Sequence, residues 1–279
     1  GENARRGLAC FNEETSKTII SGFTITNGFS VEFDYNGDGD IDYLEHYSGG
    51  GVCNYQSDPT LENCTFENNT ANWGGGGMYN YYYSNPTLTN CTFTDNLANW
   101  GGGMYNNKSS PVLENCAFTI NDAIAGGGMR NYESEPTLID CTFTGNTSDY
   151  HGGGMYNYHN SILMLTNCTF TDNSADYGGG MYNNNTNLAL SNCTFTGNSA
   201  DYGGGMYNYY SDPTLTDTTV CGNTPDQIFG DWTDNGGNIV ADECPVECPD
   251  INGDGYVGVS DLLVIIDQWG LTNSPADVN

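Results

Sequence analysis

The chain has 279 residues and sets 35 acidic side chains against five basic ones, Arg5, Arg6, Lys17, Lys108 and Arg130, for a net charge of −30 at neutral pH. Nucleic acid and anionic membrane surfaces need a basic face, so the charge excludes both as partners. No run of 18 apolar residues is present, which argues against membrane insertion, and self-repulsion on this scale points to bound cations.

In chain order, the start at Gly1 without a signal peptide fits a processed or truncated product. The stretch ACFNEETSKT (9–18) reads like the middle of a coil. TIISGFTITNG (18–28) is a partial repeat unit that resumes at SGGGVCN (48–54). Between them, residues 34–45 read DYNGDGDIDYLE. An EF-hand loop needs oxygen ligands at positions 1, 3, 5, 7, 9 and 12, glycine at 6 and an apolar residue at 8. Asp34, Asn36, Asp38, the Asp40 carbonyl, Asp42 and Glu45 fill the ligand positions, with Gly39 and Ile41 at the other two. This loop is expected to bind calcium as an insertion at a corner.

From residue 59 to about 223 the chain is a set of repeats, one of which is PTLTNCTFTDNLANWGGGMYNNKSS (86–110). The column Cys64, Cys91, Cys116, Cys141, Cys168 and Cys193 recurs at 25 or 27 residues. Each unit holds three strand-like pieces, GGGMYN, PTLTN and CTFTDN, too short to be stable alone. Stacking unit on unit at about 4.8 Å predicts a right-handed parallel β-helix of about seven coils, all-β and roughly 35 Å long. The Cys column, the leucines from Leu61 to Leu190, the phenylalanines from Phe66 to Phe195 and the methionines from Met78 to Met206 should point inward. The cysteines of that column are expected to stack as thiols. Three asparagine columns, beginning at Asn54, Asn63 and Asn69, are expected at the corners, where asparagine tolerates a left-handed backbone and can bond along a stack.

The paired GGGM and FTxN elements resemble the GGA[ILV] and FxxN repeats of the polymorphic outer-membrane protein family, whose passenger domains are β-helices. The resemblance covers about residues 18–223 and implies secretion or surface display, with adhesion in some members. It supplies no catalytic residues.

After the repeats, residues 250–261 read DINGDGYVGVSD, followed by LLVIIDQWG. Asp250, Asn252, Asp254, the Tyr256 carbonyl and Asp261 are the expected calcium ligands, and Gly255 makes the sharp turn. This segment resembles one half of a type I dockerin, a module that in its complete form docks onto a cohesin. Domain organisation is therefore read as a β-helix over 1–240 and a dockerin-like calcium segment over 241–279. A disulfide is expected among Cys221, Cys244 and Cys248, with the pair left open, and Cys10 could pair with Cys53.

Catalysis is weighed against this reading. A polysaccharide lyase needs a basic side chain beside acidic groups, and the coils offer Lys108 and Arg130 alone. Both read as repeat variants. Arg130 replaces tyrosine in the column Tyr79, Tyr105, Tyr156, Tyr182 and Tyr207, where it would stack between rings. A hydrolase needs two carboxylates in different surroundings, but Asp149, Asp176 and Asp201 obey the repeat, and relief of their mutual repulsion by a cation, water or outward splaying is expected. His46, His151 and His159 are scattered. The outer stripe Trp73, Trp100, Tyr150, Tyr177 and Tyr202, interrupted at Ala125, could face surface glycans or stack upon itself. The expected function is a non-catalytic extracellular rod, calcium-stabilised, displayed or self-associating end to end. The alternative is a secreted polysaccharide-binding or polysaccharide-degrading protein.

Overall fold

A strand of three residues such as Thr87–Thr89 persists only where copies above and below complete its hydrogen bonds. The computed structural model describes residues 7–11, 14–30 and 48–245. The chain divides into two compact units, Gly1–Glu243 and Cys244–Asn279, and every described strand lies in the first. One rung comprises Met78–Tyr81, Thr87–Thr89, Thr92–Thr94 and Leu97–Trp100. The first three pieces each belong to a sheet of nine strands and the fourth to a sheet of four. All pairings are parallel and keep the columns in register. Met104 lies between Met78 and Met129, Leu113 between Leu88 and Leu138, and Phe118 between Phe93 and Phe143. No helix occurs among the described residues. The first unit is a parallel β-helix of about seven turns with a shorter rung at each end.

The expected core is the observed one. The Leu, Cys, Phe and Met columns are buried in one continuous cluster. Phe93, Phe118 and Phe143 stack nearly parallel with centroids 4.7 Å apart. Full burial of such a side chain contributes about 1.5–3 kcal/mol. The column cysteines stay in the thiol form. Cys141 Sγ donates to the Ile139 carbonyl at 3.3 Å and points towards that of Leu113 on the preceding rung at 3.7 Å.

Four expectations need correction. Cys10 and Cys53 are not joined. Cys10 pairs in register with Asn54 and Ala9 with Cys53, so the two cysteines occupy alternate positions and point to opposite faces. The asparagine columns are not all corners: only the one through Asn63, Asn90 and Asn115 has positive φ. Asn54, Asn80 and Asn106 sit within strands and are buried. Asn69, Asn96 and Asn121 are buried too and do lie at a corner, between the strands that end at Glu67, Thr94 and Thr119 and those that begin at Thr70, Leu97 and Asp122, but without positive φ. These two columns form inward amide ladders. In the second, Asn96 Oδ1 accepts from the backbone N–H and the amide of Asn69, while Asn96 Nδ2 donates to Phe66 O and Asn121 Oδ1. The third correction concerns the glycine triplets, which are bends rather than strand. Gly101 has φ 61° and a Cβ on Gly102 would lie 2.4 Å from the Asp122 carbonyl oxygen. The fourth is the additional sheet, Thr70–Gly74, Leu97–Trp100, Asp122–Ala125 and Thr147–His151, which the three-strand pattern did not contain. A serine ladder at another bend was also not foreseen: Ser84 N–H donates to Ser109 Oγ, and Ser109 N–H to Ser134 Oγ.

Candidate functional site: an aromatic cleft around Arg130

Along the strand Met78–Tyr81, side chains alternate, so Met78 and Asn80 face the core while Tyr79 and Tyr81 face out. The glycine bend then brings the Trp100 segment against this outer face. Tyr79, Tyr105, Tyr156 and Tyr182 are buried as a result, in clusters separate from the main core. Burial pushes the Tyr156 phenol up to about 12, and raises Tyr79 and Tyr182 as well.

Arg130 stands between Tyr105 and Tyr156 in this column. Its guanidinium carbon lies 4.9 Å and 5.5 Å from their ring centroids and 4.3 Å from that of Trp100. The stacking expected from the repeat is present. The side chain is 9% exposed, and its Nε–H has no hydrogen-bond partner. The indole N–H of Trp100 is likewise buried and unpartnered. Among the described residues Arg130 forms no ion pair. Glu133, three residues on, lies instead 3.6 Å from Lys108 Nζ and 3.7 Å from His159 Nε2. A cleft of about 360 Å³ opens here, walled by Trp73, Tyr81, Trp100 and Tyr132, with Asn107, Lys108 and Arg130 supplying the polar groups.

The outer stripe runs in a different register from the expected one. Gly74, Trp100, Ala125, His151 and Tyr177 lie side by side, followed by Tyr202. Trp73 and Tyr150 are each one residue out, because the pairing shifts at bulges after Ala98 and Ala123. The rings do stack on one another in places, as Tyr177 on Tyr202 at 5.5 Å and 8°. His151 is half-buried among Tyr156, Tyr177 and Tyr182. Burial lowers its pKa, opposed by the charge of Asp176 and reinforced by Arg130.

Of the expected metal ligands, Asp34, Asn36, Asp38, Asp40, Asp42, Glu45, Asp250, Asn252, Asp254, Tyr256 and Asp261 all lie outside the described residues, as does His46. Among the described residues no group of three His, Cys, Asp or Glu side chains is placed to hold a metal. Asp149 and Asp201 are exposed and Asp176 half-buried, so this column opens to solvent rather than lying dry. His159 stacks on Tyr132 with centroids 5.7 Å apart. Cys221 and Cys244 are both disulfide-bonded.

The feature that sequence reasoning missed is the unpaired state of Arg130. The break in the tyrosine column was the visible signal for the position. A family model described as a right-handed β-helix region matches residues 6–179 and 129–253. No curated protein and no solved structure matches the chain.

Proposed function

Because the chain belongs to the right-handed β-helix family, we propose that it is a non-catalytic structural protein of the extracellular space, a stiff rod stabilised by calcium and displayed on a surface or joined end to end. The family includes both enzymes and non-enzymes, so the choice rests on the residues. The observation that carries the reading is the continuity of the inward ladders. The amide chain from Asn69 runs through every rung to Asn223 without a polar group diverted to an active-site role. Catalysis asks for side chains that break a repeat, and in the coils Lys108 is engaged by Glu133 while Arg130 is enclosed by rings.

Loops 34–45 and 250–261 are the calcium sites in this reading, the second within a dockerin-like segment from about residue 241. Bound calcium offsets part of the net charge of −30. The likeness of the repeats to those of the polymorphic outer-membrane proteins supports display outside the cell. End-to-end association is supported by the outermost described strands. Leu8–Phe11, Ile19–Ser21 and Thr24–Thr26 stand at one end, and Ile228–Phe229, Thr233–Asp234 and Ile239–Ala241 at the other. Ile19 and Phe23 are exposed at the first end, and Ile239 and Val240 at the second. Such edges are templates for another chain.

Electron microscopy and light scattering with and without millimolar calcium test the assembly. End-to-end oligomers that shorten on chelation are expected, and a strictly monomeric protein in calcium would remove the fibre and leave display. Calorimetry in which calcium produces no binding heat, with Asp38→Ala and Asp254→Ala indistinguishable from wild type, would overturn the calcium assignment.

A further inference from the structure

The strands that carry the Phe column bury their middle residue and turn the two flanking ones outward. From Thr24–Thr26 to Thr219–Cys221 these outward positions form two rows, threonine throughout except at Glu67, Ala117 and Cys221. The rows run in unbroken register, without the bulges of the four-stranded sheet. Strand propensity alone does not account for this uniformity. The sheet through Leu113 has strands of the same kind, and its outward pairs are mixed: Val112 and Glu114, Thr137 and Ile139, Met164 and Thr166, Ala189 and Ser191. Glu67 is the one charged residue in the two threonine rows, on a protein of net charge −30. The phenylalanines behind the rows measure their flatness and spacing. From Phe93 to Phe195 successive rings lie 4.5–4.7 Å apart and within 3° of parallel, where neighbouring strands ordinarily rotate by about 20–25°.

We propose that this threonine face binds the surface of ice. Along the axis of the β-helix the grid repeats at the rung spacing, and two residues of extended chain set the rows about 6.7 Å apart. Both spacings fall near the oxygen repeats on a prism face of hexagonal ice, the axial one more closely. Each hydroxyl can donate and accept as lattice water does, and the methyl beside it orders the water that it cannot bond. A hydroxyl gains little by exchanging liquid water for ice, so binding depends on many of them in register. Thr92 to Thr196 supply that register, with Ala117 the single gap. The absence of charge from the rows suits a neutral lattice, which would have to give up hydration of any carboxylate laid against it. The proposal rests neither on calcium nor on assembly of copies.

The test is partitioning of the full chain into slowly grown ice, together with freezing hysteresis by nanolitre osmometry. Wild type should enter the ice several-fold over serum albumin and hold the freezing point below the melting point. Thr144→Tyr, at an exposed position in the middle of the grid, should reduce the enrichment several-fold. Thr137→Tyr, outward on the sheet through Leu113, should leave it unchanged. Ala117→Thr completes the grid and should increase both readings. Circular dichroism and melting temperature establish that each variant is folded. Wild type no more enriched than albumin, equal enrichment of Thr144→Tyr, or an equal loss in Thr137→Tyr would overturn the proposal. A dimer in solution that Thr144→Tyr disrupts, with no entry into ice, would assign the face to a second copy and overturn it as well.

Discussion

The guanidinium of Arg130 lies 4.3 Å from the ring centroid of Trp100, at a rung where a tyrosine would otherwise join Tyr105 to Tyr156. The fold therefore bears the cost of a charge that the column does not need. Arg130→Ala should lower stability by about 2–3 kcal/mol, through lost packing and cation–π contact. Arg130→Tyr should equal or exceed wild type, because it removes a buried unpartnered donor. Urea unfolding of the two variants checks the opposite signs.

Asn121 ties together three rungs. Its Oδ1 accepts from the N–H and amide of Asn96, and its Nδ2 donates to Phe93 O and Asn146 Oδ1. Asn121→Ala strands buried groups on both neighbours and should cost about 3 kcal/mol or more. Asn115, at an exposed corner with φ 51°, should behave differently: alanine there costs about 1–2 kcal/mol and glycine close to nothing. Denaturation midpoints of the three variants decide whether the inward ladder outweighs the corner.

Two glycines separate space from backbone angle. Gly102→Ala would place a methyl 2.4 Å from the carbonyl oxygen of Asp122 and 2.7 Å from that of Gly127, both main chain and unable to yield. We expect a loss above about 3 kcal/mol, or insoluble protein. Gly145 has φ 62° but open surroundings, with Ile120 Cγ1 the one neighbour at 3.7 Å. Gly145→Ala should cost about 1 kcal/mol from strain alone. Expression yield and melting temperature distinguish these cases.

The thiol of Cys141 is pushed up to about 12, first by its hydrogen bond with Cys116 and then by burial; that of Cys168 reaches about 12 through Cys141 and burial. In the unfolded chain a thiol loses its proton near 9. The native state thus retains protons that the unfolded state releases, so this stabilisation is complete below about pH 9 and is lost as pH rises from about 9 to 12. Urea midpoints should fall steeply in that window. Iodoacetamide at pH 8 should leave the column unmodified in native protein and alkylate it in urea, as mass spectrometry would read.

Columns were legible because parallel stacking puts each repeat position on its own copy, so Cys64 to Cys193 and Phe66 to Phe195 could be placed without coordinates. The fourth sheet was hidden because its residues vary from rung to rung. Leu97 is followed on the next rung by Asp122, and Trp100 by Ala125; only the inward Ala71, Ala98 and Ala123 repeat. The bulges that shift His151 into the stripe did mark the spacing, since Asn69 to Met78 and Asn146 to Met155 span one residue more than Asn96 to Met104 and Asn121 to Met129, but that signal does not say where in the segment the extra residue sits. The burial of Tyr79 was equally hidden, since its cover comes from a segment on another side of the coil. The ring-stacked Arg130 was readable as a broken column. Its lack of a carboxylate was not, because Glu133 itself takes a φ of 46° at the end of the strand and meets Lys108 instead.

The inward amide ladders give the β-helix a direction. Asn54 donates to Asn80, Asn80 to Asn106, and so on to Asn208, whose Nδ2 ends on the Asp231 carbonyl. The other inward ladder points the same way, from the Gly28 N–H into Asn69 and out through Asn223 to Gln227. The exposed corner column runs in reverse, with Asn115 donating to Asn90 and Asn90 to Asn63. The first amide oxygen, Asn54 Oδ1, is buried with no donor facing it. One end of each inward ladder is therefore an acceptor and the other a donor, like the two poles of a magnet. At the far end both last amides are already capped, Asn208 by the Asp231 carbonyl and Asn223 by Gln227, so among the described residues the open pole is the acceptor at Asn54. A junction formed at that pole must bring a donor to Asn54 Oδ1, and the same oxygen of a second copy cannot supply one, so two copies cannot extend this ladder by meeting pole to pole.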